Sequence, residues 1–131
     1  MTAPRPGQTA ELTHLVADAD TAVSLGSGEV PVLATPRLLA WLEAATVGAL
    51  ADSLADAETS VGTRTELDHL APSPVGARVT VRAVVAAVDG RRVRFEAVAT
   101  DASGRVVAHA QITRVVVDRA RFLDRAAGDA S

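Results

Sequence analysis

Two periods of apolar residues divide this chain. Over TPRLLAWLEAATVGALADSL, residues Thr35 to Leu54, Leu, Ala, Trp, Val and Thr follow one another almost without a break. Pro36 suits the first helical position, where no amide donor is needed, and Thr35 before it can cap. The stretch predicts a helix ending near Ala55 to Glu58, roughly 30 Å long at about 1.5 Å per residue. Apolar positions on every side, rather than along one stripe, predict that it is buried. Its charged ends and interruptions exclude a membrane span. One charge, Glu43, lies inside it.

After the helix the period falls from near 3.6 to 2, the signature of strands. Ser60 to Leu70, Ala77 to Val88, Arg91 to Thr100 and Arg105 to Val117 each read as a strand. Turn residues separate them: APSPVG at 71–76, Asp89-Gly90 as a tight hairpin, and Asp101 to Gly104. Before the helix, QTAELTHLV (8–16) alternates as a first strand, and Asp18 to Pro31 is a loop of a length that often serves as a lid. The polar tail from Asp118 reads as a short helix that frays. This order, one strand, a long helix, then four strands, predicts an α+β hotdog fold, a curled antiparallel β-sheet wrapped around one long central helix. Residues 1–7 form a flexible arm, 8–123 the hotdog domain, and 124–131 a flexible tail. One such sheet cannot enclose a helix on every side, so a second copy is expected to bury the remaining face and the sheet edge, giving a homodimer or a tetramer.

Composition changes this picture in a few places. At 131 residues with 48% hydrophobic and 22% charged positions, the chain is one globular domain. Aromatics are reduced to Trp41, Phe95 and Phe122, so Val, Leu and Ala build the core. A net charge of -3 gives no general attraction to nucleic acid or anionic membrane. No cysteine is present, which excludes disulfides, thiol catalysis and cysteine-ligated metal. No glycine-rich phosphate loop, nucleophile elbow or metal-ligand cluster appears, so no metal or resident cofactor is expected. The N-terminus has no signal-peptide pattern, and a cytoplasmic location is the default expectation.

Glu43 is the residue to explain. It either lies on a helix face that sees solvent or an interface, or is a carboxylate held in a dry place with a raised pKa, able to act as base or nucleophile. Taken singly, Thr35 is a cap and His69 a structural residue at a strand end. Asp68 and Glu66 beside it read as solvated strand residues, and His14 and His109 have no evident partner. Arg91 and Arg92 form a solvated turn or meet a phosphate.

Taken together, three of these positions form a pattern. Thr35, Glu43 eight residues on, and His69 twenty-six beyond that resemble the Thr–Glu–His site of the fluoroacetyl-CoA thioesterase family of hotdog proteins. Ala34-Thr35 leading into WLEAA, Val61-Gly62-Thr63, the run from His69 to Gly76, VDGRRVRF and TRVVVDRARF also match, so that the likeness covers roughly residues 8 to 123. The resemblance implies that Glu43 attacks a thioester carbonyl or activates a water that does. It implies that His69 orients or exchanges a proton with Glu43 and assists departure of the thiolate. Donors at the helix start near Thr35 and the Gly62 amide would stabilise the oxyanion, and Arg114 would hold the arrangement. Coenzyme A then enters as part of the substrate and not as a cofactor. The family's lid carries phenylalanines that help select the fluorinated acyl group. This lid, LGSGEVPVLA, has none, so the resemblance implies thioester hydrolysis without implying fluoroacetyl selectivity.

The sequence reading is therefore a homodimeric thioesterase acting on a small acyl-CoA or related acyl thioester. Its rivals are the same fold binding an acyl or small apolar ligand without turnover, and a hotdog dehydratase or hydratase, whose usual Asp and His pairing within a short span is missing. One geometric constraint accompanies it. If the helix begins at Thr35, Glu43 lies roughly 12 Å further along the axis, and both cannot reach one carbonyl from one straight helix. Either the helix starts later, or two subunits share the site and a monomer is inactive.

Overall fold

A computed structural model describes residues 3–129 of the chain. Five strands run as β1 (Thr9–Leu15), β2 (Glu58–His69), β3 (Arg78–Asp89), β4 (Arg92–Asp101) and β5 (Val106–Asp118). Three α-helices accompany them, α1 (Ala22–Leu25), α2 (Thr35–Leu50) and α3 (Arg119–Asp129). The strands form one antiparallel sheet in the order β1-β3-β4-β5-β2, curled around α2 in the expected hotdog arrangement. Val79, Val81, Ala83 and Val85 on β3, Val93, Phe95, Ala97 and Ala99 on β4, and Ala110 and Ile112 on β5 are buried at alternate positions. Side chains of period 2 thereby line one face of the sheet. Against them α2 lays Leu38, Trp41, Leu42, Ala45, Ala49 and Leu50, a helical spacing. The Gly90–Arg91 turn joins β3 to β4 with Gly90 at φ 59, a left-handed conformation that glycine adopts without a Cβ clash.

The helix departs from expectation at both ends and along one face. Its N-cap is Ala34 and no side chain caps it, so Thr35 is the first helical residue and its hydroxyl is free for another partner. The α-helix ends at Leu50 and tightens into a 3-10 turn at Ala51–Ser53, short of the expected limit. Nor is α2 buried all round in the single chain. Pro36, Ala40, Ala44 and Val47 lie exposed on one side, a stripe of small apolar surface that the sheet does not cover.

The segment read as a loop from Asp18 contains a 3-10 turn (Asp18–Asp20) and one turn of α-helix, α1. Thr21 starts α1 by accepting from the Ser24 amide at 3.3 Å, and Gly26 at φ 73 ends it. The segment is tied down where it meets α2, through Ala34 N to Asp20 O at 2.9 Å and an Arg37–Asp20 ion pair at 3.0 Å. At the other end of the chain, α3 extends the expected short helix to Asp129. In the N-terminal arm, Gly7 N donates to Val85 O at 2.9 Å. Residues 1–2 of the arm and 130–131 of the tail lie outside the described residues.

Candidate active site

The five residues singled out from sequence fall into two groups. At the start of α2, Thr35 Oγ1 and His69 Nδ1 are 2.8 Å apart. His69 is the last residue of β2 and reaches Thr35 because the strand end lies beside the helix N-terminus. Its Nε2 is buried and has no hydrogen-bond partner among the described residues. Burial lowers the pKa of His69 below its ordinary value, partly offset by a backbone hydrogen bond with Ala71. A ring so placed is uncharged at neutral pH and available to accept a proton. Beside the pair opens a cleft of about 340 Å³ between the lid segment and the turn after β2, lined by Ala22, Gly28, Val30, Leu33 and Ala71 among others.

The second group lies two helical turns further along. Glu43 Oε2 stands 3.7 Å from Arg114 Nη1, close enough for charge attraction but too long for a hydrogen bond. Arg114 on β5 is buried, and Ser60 fixes its fork. Nε donates to Ser60 Oγ at 2.8 Å and Nη2 to Ser60 O at 2.9 Å. Burial pushes the Arg114 pKa down from its ordinary value, and the Glu43 carboxylate pushes it back up. Gly62, opposite Arg114 across the β2–β5 ladder, leaves the room that the carboxylate occupies. A Cβ there would lie 2.7 Å from Glu43 Oε2. Of the two readings of Glu43, the single chain shows the helix face open to solvent or to an interface, with its side chain 36% exposed. It borders the uncovered stripe of α2.

Since α2 begins at Thr35, the alternative of a later helix start falls away. Glu43 is eight residues from Thr35, about 12 Å along the axis, and the two groups do not meet within one chain. Two other residues acquire neighbours. Asp68, read as a solvated strand residue, is exposed and turns away from His69. Neighbouring strand residues point to opposite faces, and Asp68 Oδ2 faces His109 Nδ1 at 3.6 Å instead. His14, for which the sequence offered no partner, stacks on Trp41 with ring centroids 4.3 Å apart and planes within 5°. Ser60 was missed because its role depends on a cross-strand neighbour that no local spacing announces.

A sequence model described as fluoroacetyl-CoA-specific thioesterase (FlK) matches residues 16–120. The chain belongs to the fluoroacetyl-CoA-specific thioesterase family. Solved structures agree with this family and fold. The fluoroacetyl-CoA thioesterase FlK superposes with a TM-score of 0.90 at 26% identity, over 96% of this chain and 97% of that one. A hot-dog-like protein from Thermanaerovibrio acidaminovorans gives 0.88 at 29% identity, over 96% and 93%. A Thermus thermophilus hypothetical protein, a thioesterase superfamily member, gives 0.89 at 24% identity over 99% and 97%, and supports the fold alone. No curated protein matches the sequence. Family membership makes the chain a protein of thioester-hydrolase type. No helix among the described residues is long and apolar enough to cross a membrane.

Proposed function

We propose that this protein hydrolyses the thioester of a small acyl-CoA, or of a related acyl thioester, in a site shared by two copies of the chain. The observation that carries the reading is the Thr35–His69 pair at 2.8 Å, placed at a helix N-terminus and facing a cleft. The acyl group enters the cleft, with its carbonyl oxygen near the start of α2, where unpaired amide donors and the positive end of the helix dipole favour developing negative charge. Thr35 and His69 order one another, and His69, uncharged at rest, takes up the proton that Glu43 draws from the attacking water and passes it to the departing thiolate.

The carboxylate comes from the second copy. Its Glu43 attacks the carbonyl or draws a proton from the attacking water, and Arg114 and Ser60 hold it in position. Two features support such sharing. The uncovered stripe of α2 is small and apolar, and β2 is a twelve-residue edge strand with unpaired backbone groups along it. A two-fold axis that sets Glu43 of one copy level with Thr35 of the other crosses antiparallel helices near Leu39. The same axis brings Ala40, on the exposed stripe, close to its own symmetry mate. Homodimerisation thus completes the site. With no aromatic residue in the lid, the lid selects the acyl group without ring contacts of its own.

Free-thiol release from short, branched and aromatic acyl-CoAs, compared between wild type and Glu43→Ala, tests this. Turnover that disappears in a folded, dimeric Glu43→Ala protein is the expected result. Undiminished turnover in that variant contradicts it.

A further inference from the structure

The cleft beside Thr35 and His69 has a volume of about 340 Å³, more than a two-carbon acyl group needs. At about 30 Å³ for each non-hydrogen atom, the share of one water molecule, acetyl takes about a quarter of it and the whole holds about ten such atoms. Its walls are built in advance. On the lid side, Ala22 N donates to Val32 O at 2.8 Å, Ser27 N to Ala22 O at 3.0 Å and Leu33 N to Ser73 O at 2.8 Å. On the opposite side the amides of Leu70 and Ala71 both donate to Val107 O, at 2.8 and 3.2 Å. Backbone hydrogen bonds therefore set the space between the two walls.

The lining is apolar and uncharged. Among the described residues, no carboxylate or guanidinium lines the cleft, and Ser27, Thr35 and His69 supply its polar side chains. An acyl group ending in a carboxylate would bury that charge without a partner. Val30 of the lid and Leu70 of the turn after β2 both line the cleft, yet they stay 56% and 58% exposed. An apolar chain running between them takes their surface and its own out of water. Gly28 keeps the lid wall thin. A Cβ there would lie 3.2 Å from the Ala22 Cβ, and Gly28 has no positive φ. Glycine is thus needed at this position for space and not for backbone conformation.

We propose that this cleft selects an uncharged, apolar acyl group of about six to nine carbons, chain or ring, over a two-carbon or a carboxylated one. Gly28 and Val30 set the preference, Gly28 by leaving the cleft open and Val30 by giving the chain an apolar wall. That the group arrives as a thioester rests on the thioesterase reading above; that the cleft favours it does not.

The test uses the full-length protein and two single variants. Gly28→Leu fills the cleft from its lid wall, and Val30→Asp sets a charge along it at an exposed position that spares the core. Circular dichroism checks both folds. On acetyl-, hexanoyl-, phenylacetyl- and succinyl-CoA, wild type should show kcat/KM at least about tenfold higher for the hexanoyl and phenylacetyl thioesters than for the other two. Each variant should lower the hexanoyl-to-acetyl ratio by at least about tenfold. A wild type that prefers acetyl- or succinyl-CoA, or cleaves all four alike, overturns the proposal and leaves the thioesterase reading in place. So does a hexanoyl preference that survives in either folded variant. If wild type cleaves none of the four, the thioesterase reading fails and binding decides the cleft. Calorimetric titration should then show hexanoyl-CoA bound at least about tenfold more tightly than acetyl-CoA by wild type and not by the variants. Equal affinities for the two thioesters overturn the proposal as well.

Discussion

Gly62→Ala moves one catalytic candidate without removing any functional group. The added Cβ would stand 2.7 Å from Glu43 Oε2 and 3.6 Å from Arg114 Nη1. Ordinary van der Waals contact begins at 3.4 Å, so the carboxylate must withdraw by about 0.7 Å, a distance set by the strand backbone and the methyl group. The atom displaced is the end of a flexible side chain that is 36% exposed, and Gly62 has no positive φ. The fold therefore yields at the glutamate, and the stability change stays within about 1 kcal/mol, with reduced backbone freedom in the unfolded chain offsetting part of the strain. Activity is far more sensitive, because a misplacement of about 1 Å at a reacting group can cost on the order of a hundredfold. The expected result is a fall in kcat/KM of about ten- to a hundredfold on the best acyl-CoA, with thermal melting nearly unchanged. Unaltered kcat/KM in the folded variant would refute the placement of Glu43 in the reaction. A stability loss of several kcal/mol would refute the claim that the side chain, and not the strand, gives way.

Further expectations concern the other parts of the site. The lowered pKa of His69 predicts an acid limb of kcat/KM centred below its ordinary value of 6.5; a limb at or above that value contradicts an uncharged, buried ring. The sign for stability follows from the same shift. The unfolded chain binds this proton at higher pH than the folded one, so the His69 contribution is complete above about pH 6.5 and is lost as pH falls toward the folded value. Denaturation of wild type and His69→Asn at pH 7.5 and 5 should show the smaller pH dependence in the variant. Arg114→Met keeps much of the buried volume but strips Ser60 O and Glu43 of their partner, and should cost about 1–3 kcal/mol in urea denaturation together with most of the turnover; a variant as active as wild type removes Arg114 from the site. The chain has no cysteine, so Ala40→Cys creates a single thiol on the exposed stripe of α2. Mild oxidation should give a covalent dimer on a non-reducing gel, whereas the exposed Ala102→Cys, remote on the β4–β5 turn, should not. Equal cross-linking of both places the contact elsewhere.

Much of the fold was legible because its signals are local. Period-2 valines and alanines in β3 and β4 and the Asp89-Gly90 turn mark strands and hairpin without reference to distant residues. The limits of α2 were less so. Ala34 takes the cap position that Thr35 was expected to fill, because the hydroxyl of Thr35 is engaged by His69, thirty-four residues away. The burial of α2 was overestimated for a related reason, since a stripe of Pro36, Ala40, Ala44 and Val47 looks the same in sequence whether a sheet or another molecule covers it. Of the site, the resemblance paired His69 with Glu43, whereas in the single chain His69 meets Thr35 and Glu43 lies beside Arg114. What spacing could not show was that these remain two separate groups in one chain. That follows from helix rise, once the helix start is known. Ser60 and the Asp68–His109 pairing depend on strand register, which no short motif encodes.

The central claim, one site built from two copies, has a direct test. Glu43→Ala and His69→Ala proteins, each inactive alone, are mixed, exchanged under mild denaturation and refolded together. In a shared site, each mixed dimer carries one place where an intact Glu43 meets an intact Thr35 and His69. Random exchange makes about half of the dimers mixed, so the sample should recover about a quarter of wild-type turnover. Mixed dimers verified by differential tags that remain as inactive as either parent would contradict the claim.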